Sequence, residues 1–281
     1  DLTGLNTGYP FLNKATLGLQ NGDLMILAAR PAVGKSAFAI NLALNVAATN
    51  KAHVAIFSLE MSIEQLMMRI YSYKANIELS KIRSGNLESD ELLLLGVARE
   101  DLSKINLHFD ESSSTNISDI RAKCRQLKQL VTTSDTRGNR QEEVSKISRQ
   151  LKTLARDLEV PILALSQLSR SIESREDKRP TLADLRESGS IEQDADMVMF
   201  LYRRSDVEEL DENEERERKE REKTYREIIL SIAKNRQGPL DDIDYHFYGN
   251  YSRYSEQREK KPVIRKSRKK YARTTKLNKE E

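Results

Sequence analysis

An apolar run, Leu24–Ala29, breaks at Arg30-Pro31-Ala32-Val33-Gly34-Lys35-Ser36, and a helical pattern begins at once over residues 36–49. That succession reads as a buried strand, a tight loop and a helix whose first N–H groups have no partner of their own. The segment Ala29 to Ser36 matches the phosphate-loop pattern G-x-x-x-x-G-K-[ST], with Ala29 in place of the first glycine. In such a loop the backbone N–H groups and the positive end of the helix dipole cradle phosphate oxygens. Ala29, Arg30, Pro31, Ala32, Val33, Gly34, Lys35, Ser36 and Ala37 are therefore the expected nucleotide-binding residues. Lys35 is expected to reach the β- and γ-phosphates and Ser36 to ligate Mg²⁺, while Gly34 lets the backbone approach without a Cβ. ATP or GTP binding follows. What the energy is used for does not.

Short apolar runs at 53–58, 105–110, 161–166, 197–202 and 228–234 alternate with helical patterns at 66–74, 87–102, 117–129 and 142–158. This alternation predicts an α/β fold with a mostly parallel central sheet and helices on both faces. Ser62, with Gln65 three residues on, reads as a capping box. In a doubly wound sheet the 53–58 strand is expected beside the first, with Glu60 at its end aimed at the γ-phosphate. A carboxylate there can orient and deprotonate the attacking water. Position alone suits a surface Glu at a helix start equally well.

The composition divides the chain. Hydrophobic residues make up 38% of 281, enough for one large core, while the charged fraction of 32% exceeds the ~25% usual for globular domains. The net charge of +3 averages an acid-rich stretch at 206–227 with a basic one at 251–281. The expected organisation is one domain over 1–250, with a charged insertion at about 205–227 and a disordered basic tail over 251–281. Glu and Arg recur in the insertion at spacings that suit a solvated helix. Lys260-Lys261 and Arg265-Lys266-Ser267-Arg268-Lys269-Lys270 suit either nonspecific nucleic-acid affinity or a solubilising terminus. The lone Cys124 excludes an internal disulfide and a cysteine-cluster metal site, and is expected to be a packing residue. No run approaches the roughly 18 apolar residues of a membrane span, and residues 1–9 have no leader pattern, so a cytoplasmic protein without a membrane partner is expected. The chain begins without Met, which leaves room for a preceding domain.

Four ordered motifs carry a family resemblance. Ala29-Arg30-Pro31 runs into Gly34-Lys35-Ser36; Phe57-Ser58-Leu59-Glu60-Met61-Ser62 and Leu165-Ser166-Gln167-Leu168-Ser169-Arg170 follow; the fourth is Asp184-Leu185-Arg186-Glu187-Ser188-Gly189-Ser190-Ile191-Glu192-Gln193-Asp194-Ala195-Asp196. Together, over about residues 2–247, they resemble the DnaB-type replicative helicases. The resemblance implies a RecA-like fold and a ring-shaped homohexamer that encircles single-stranded DNA, moves 5′ to 3′ on ATP and unwinds the duplex. It implies Glu60 as general base and Gln167 as γ-phosphate sensor. Ala233-Lys234-Asn235-Arg236-Gln237-Gly238 resembles the family's trans-acting segment, so Arg236, assisted by Lys234, is implied as an arginine finger for a neighbour's nucleotide. Arg186, Glu187 and Gly189 are implied to hold DNA phosphates without reading bases. Primase and a helicase loader are implied partners through parts outside this chain. Two alternatives stay open: a RecA-like DNA-remodelling ATPase of recombinase or clamp type, and a nucleotide-binding scaffold that does not hydrolyse.

One expected element is absent. Hydrolases of this class hold Mg²⁺ through a second carboxylate, the Walker B Asp, at the end of an apolar strand beside the phosphate-loop strand. Between residues 129 and 141 the sequence offers Leu130-Val131-Thr132-Thr133-Ser134-Asp135-Thr136-Arg137-Gly138-Asn139-Arg140, with no run of four apolar residues and no Asp after one. Asp110 closes an apolar run but matches a different family position and is not assigned to metal. The expectation is that a segment is missing between Gln129 and Val131, or that the strand is truly deleted and hydrolysis is crippled.

Overall fold

Strand β1 (Leu24–Ala29) has all six residues buried, as a strand covered on both faces requires. The computed structural model describes residues 1–58, 60–110, 117–127, 130–133, 140–208 and 210–257. Helix α1 (Pro10–Thr16) precedes β1 and opens on a proline, whose missing N–H costs nothing there. Helix α2 (Lys35–Asn50) leads to β2 (His53–Phe57) and α3 (Ile63–Ala75). The Ser62–Gln65 capping box forms as expected. Helices α4 (Leu79–Ser84) and α5 (Ser89–Ser103) then bring the chain to β3 (Asn106–Asp110). Next come α6 (Ile117–Leu127), β4 (Leu130–Thr133), α7 (Arg140–Leu158) and β5 (Ile162–Gln167). The remainder is α8 (Gly189–Asp194), β6 (Met197–Arg203), α9 (Glu212–Arg221), β7 (Arg226–Asn235), β8 (Asp241–Tyr248) and β9 (Arg253–Glu256).

The strands form one sheet in the order β3-β2-β4-β5-β1-β6-β7-β8-β9. Pairing is parallel from β3 through β6 and antiparallel from β6 through β9. Alternate residues feed two cores. Met25 and Leu27 of β1 pack with α2 and α3 on one face, and Leu24, Ile26 and Ala28 pack with α6 and α7 on the other. Cys124 lies in the second core, where burial pushes its thiol up to about 12. It is a packing residue, as expected.

Three expectations change. Strand β2 does not lie beside β1, because β4 and β5 intervene. A doubly apolar strand can pair with any other on hydropathy alone, so its sequence does not name its neighbour. Second, the position thought empty is filled: β4 pairs in parallel with β2 and with β5. Leu130-Val131-Thr132-Thr133 has only two aliphatic residues, but its branched side chains favour strand and two neighbouring edges supply the ladder. The sheet is continuous from β2 to β5 through β4. Strand β4 too is separated from β1, by β5. Asp135 and the rest of 134–139 lie outside the described residues.

Third, the folded unit runs past 250. Residues 253–256 form β9, paired with β8 through Phe247↔Tyr254 and its neighbours. Tyr254 is buried in the first core, which anchors a segment whose surrounding charge suggested disorder. Residues 258–281, the bulk of the basic stretch, lie outside the described residues. Within the charged insertion, α9 is capped by Asp211 and buries no residue, the solvated helix its spacing suggests. No described helix is long and apolar enough to cross a membrane.

Candidate nucleotide and trans-acting sites

The phosphate loop leaves β1 at Ala29 and enters α2 at Lys35 through two left-handed residues, Ala32 (φ 63°) and Gly34 (φ 113°). A Cβ at Gly34 would come within 2.5 Å of the Tyr254 hydroxyl and 3.0 Å of Phe247 Cε1. Glycine is thus demanded twice, by the backbone angle and by the aromatic floor beneath the loop. The Tyr254 hydroxyl donates to the Val33 carbonyl at 3.2 Å. Ala32 carries its positive φ without that freedom, and its carbonyl accepts from Arg226 Nη1 at 2.9 Å and from Arg203 Nη2 at 3.4 Å. Arg226 also lies over the Phe247 ring, 5.0 Å from its centroid, and burial first, then the Arg203 charge, holds its guanidinium below the ordinary value.

The opposite wall of the loop is β5. Its last residue, Gln167, is exposed and stands in register with Ala29, so the amide sits beside the root of the phosphate loop. Lys35 Nζ donates to the Ser166 carbonyl at 2.9 Å. Arg30 turns away from the cradle, donating to the Leu168 carbonyl at 3.0 Å and pairing with Glu173. Glu60 is exposed, two residues past the first hydrogen bond beyond β2, where Ser58 N–H meets the Asp110 carbonyl at 2.8 Å. Although β4 and β5 separate β2 from β1, Glu60 and Ser36 line one small cavity with Phe57, Met61, Leu66 and Leu165. The inward reach of α2 across the sheet end, not strand adjacency, brings them together. Asp110, at the end of the edge strand β3, is salt-bridged to Lys123 of α6.

Lys234 and Arg236 lie elsewhere. Strand β7 runs antiparallel to β6, so Asn235 pairs with Met197 at the start of β6, whereas Ala29 pairs with Leu201 near its end. Those four residues of strand are about 13 Å, which puts the two cations at the opposite end of the strands from their own phosphate loop. Arg236 donates to Asp196 Oδ1 at 3.2 Å and to the Gln193 carbonyl at 2.7 Å. Lys234 donates to the Glu192 carbonyl, and burial lowers its pKa, with Arg236 adding to the shift. Arg186 and Glu187 fall in a 3₁₀ turn (Leu182–Ser188) and Gly189 opens α8. The side chains of 186–190 are outside the described ones.

Sequence reasoning missed Arg203, Arg226, Phe247 and Tyr254. Arg203 directly follows the expected 197–202 strand, but that this strand pairs with β1 is seen only in the sheet order. The other three belong to β7, β8 and β9, whose return to the loop only the strand order reveals.

The family model for the DnaB-like helicase C terminal domain matches residues 4–256. The chain is 46% identical over 268 residues to the replicative DNA helicase DnaB of Geobacillus stearothermophilus and 45% identical over 268 residues to the replicative DNA helicase DnaC of Bacillus subtilis (strain 168). Each match covers 90% of this chain and 57% of the relative, so the chain spans little more than half the length of these proteins. Among solved structures it is similar to an ATPase domain, with a TM-score of 0.81 at 32% identity, covering 90% of this chain and 91% of that one. A DnaB-like replicative helicase, studied with its interactions with primase, gives a TM-score of 0.79 at 33% identity, covering 90% of this chain and 62% of that one. The expected RecA-like fold is thereby borne out, and the chain belongs to the DnaB-like helicase C-terminal domain family.

Proposed function

We propose that this chain is the ATP-driven motor of a cytoplasmic replicative helicase that works as a ring hexamer on single-stranded DNA, moving 5′ to 3′. The observation that carries it is the division of the site. Loop, Lys35, Ser36, Glu60 and Gln167 gather at one end of the parallel strands, while Lys234 and Arg236 stand at the other, a division that suits the two cations to a neighbouring subunit's nucleotide. The Glu60 carboxylate takes the proton of the water that attacks the γ-phosphorus. Lys35 and the neighbour's Arg236 balance the charge that develops on the transferred group. Gln167, joined to the loop through the β5–β1 ladder, registers the γ-phosphate and passes its loss toward the 186–189 segment, which grips DNA phosphates.

The residues fit a Mg²⁺-bound triphosphate. Arg203, whose Nη2 reaches the loop at the Ala32 carbonyl, keeps a buried Nε with no hydrogen-bond partner among the described residues, and so sets a cation beside the loop. Ser36 would supply one hard oxygen ligand, phosphate oxygens and water the rest, and the ion would neutralise phosphate charge. Primase and a loader remain proposed partners through regions outside this chain. Fork unwinding tests the reading: hexamers with intact ATPase that open no duplex would instead favour a remodelling ATPase. The scaffold reading draws on β4, which ends in threonines; DNA-stimulated phosphate release would exclude it.

A further inference from the structure

Asp196 sits at the start of β6 with its side chain only 7% exposed, and several donors converge on it. Leu24 N–H donates to Oδ2 at 2.8 Å, Lys152 Nζ pairs with the same oxygen, and Arg236 Nη1 donates to Oδ1 at 3.2 Å. Of these, the Arg236 contact is the longest, and the Arg236 side chain is 46% exposed against 13% for Lys152. If one donor leaves, Arg236 is the one free to swing into solvent. Its departure does not orphan a buried charge, because Lys152 and the Leu24 amide still hold Asp196. An unpaired buried carboxylate would make release prohibitive, and here that obstacle is absent.

The remaining contacts of both trans-acting cations fall on one short helix. Lys234 is held by the Glu192 carbonyl and Arg236 by the Gln193 carbonyl, in the last turn of α8. Carbonyls at a helix end attract cations, so the pair is parked there. The same helix begins at Gly189, in the segment assigned to DNA contact. Its far end is pinned to α7 by the Ser148 hydroxyl, which donates to Asp194 Oδ2 at 2.6 Å.

Resting on the trans-acting reading of Arg236 given above, we infer that Asp196 is a positioning residue that tethers Arg236 to its own subunit, and that α8 links release of this tether to DNA contact at 186–189. Asp196 and the neighbour's γ-phosphate compete for one guanidinium. DNA binding that shifts α8 withdraws two carbonyls from the parked cations and tips the competition toward the phosphate. A ring without DNA therefore keeps its fingers parked, and turnover waits for a strand to grip.

The test compares ATP turnover of the assembled ring with and without saturating single-stranded DNA. Asp196→Asn weakens the charge-assisted contact but keeps the side-chain volume. It should raise DNA-free turnover roughly three- to tenfold, the range that losing about one ordinary hydrogen bond gives, since the half-exposed Arg236 contact is screened by solvent, and leave DNA-saturated turnover unchanged. A purely structural role would lower both rates. Adding Arg236→Ala to Asp196→Asn should abolish the rise. A folded Asp196→Asn ring whose DNA-free rate equals the wild type's overturns the tether. Normal turnover in Arg236→Ala alone would overturn the finger reading instead, and the two failures are thus told apart. If Asp196→Asn does not fold, Ser148→Ala loosens the same end of α8 by removing one hydroxyl. It should also raise the DNA-free rate, and no rise overturns the proposal.

Discussion

The phenolic hydroxyl of Tyr254 donates to the carbonyl oxygen of Val33 at 3.2 Å, and Gly34 follows with its φ of 113° over the same ring. A strand far along the chain thus forms the floor of the phosphate loop. Gly34→Ala places a methyl group in that floor and strains the backbone, which should cost on the order of 1–3 kcal/mol. Thermal melting should show the loss, and nucleotide titration should show weakened binding in the molecules that remain folded. An unchanged melting temperature would mean the aromatic floor yields freely.

Lys35 Nζ rests on the Ser166 carbonyl, one residue before Gln167. Lys35→Ala removes the one cation the loop sequence directs at the β- and γ-phosphates. Equilibrium binding of a labelled ATP analogue should fall to background, while melting in the absence of nucleotide changes little. Wild-type turnover in this variant would refute the assignment of the loop.

Glu60 shares a cavity with Ser36. Glu60→Gln keeps the shape and the hydrogen-bonding reach but removes the base. Turnover should drop roughly 10²- to 10⁴-fold, with nucleotide affinity retained. Equal loss of binding and turnover would point to a structural Glu.

Asp23 lies beside Asp196 at the far end of the strands. Its carboxyl is raised from 3.8 to about 6, by burial first and the Asp196 charge second, against the pull of Lys152, Arg236 and Gln237. The folded chain therefore binds this proton more tightly than the unfolded one. The stabilisation is complete at low pH and is lost as pH rises through about 6. Asp23→Asn, which keeps an oxygen for Gln237, should be more stable than wild type at pH 7 by at most about 3 kcal/mol, with the difference closing toward pH 4. Denaturant titrations across that range check it, and a pH-independent difference would show that Asp23 titrates normally.

Much of this was legible because the signals were local. Leu24–Ala29 is apolar throughout and forms β1 with those bounds, and the Ser62–Gln65 spacing gives the capping box. The phosphate-loop motif itself is one consecutive stretch, Ala29 to Ser36. What escaped depends on partners distant in sequence. Nothing in residues 53–57 says that two strands separate them from β1, and nothing in Leu130-Val131-Thr132-Thr133 says that two open edges await it. Residues 253–256 look like the start of a charged tail until Tyr254 finds the aromatic cluster of Phe38, Tyr245 and Phe247. The Asp196 contacts are of the same kind, since Leu24, Lys152 and Arg236 come from three separate elements.

The antiparallel return of β7 also bears on symmetry. On the proposed trans reading of Arg236, loop and cations lie at opposite ends of one sheet, so the surface that gives the guanidinium is not the surface that receives it. Contacts of this kind are heterologous, and they repeat head to tail until they close on themselves or grow as a filament. Each interface then holds one complete site, every subunit is at once donor and acceptor, and an array left open by one junction has one site fewer than it has subunits.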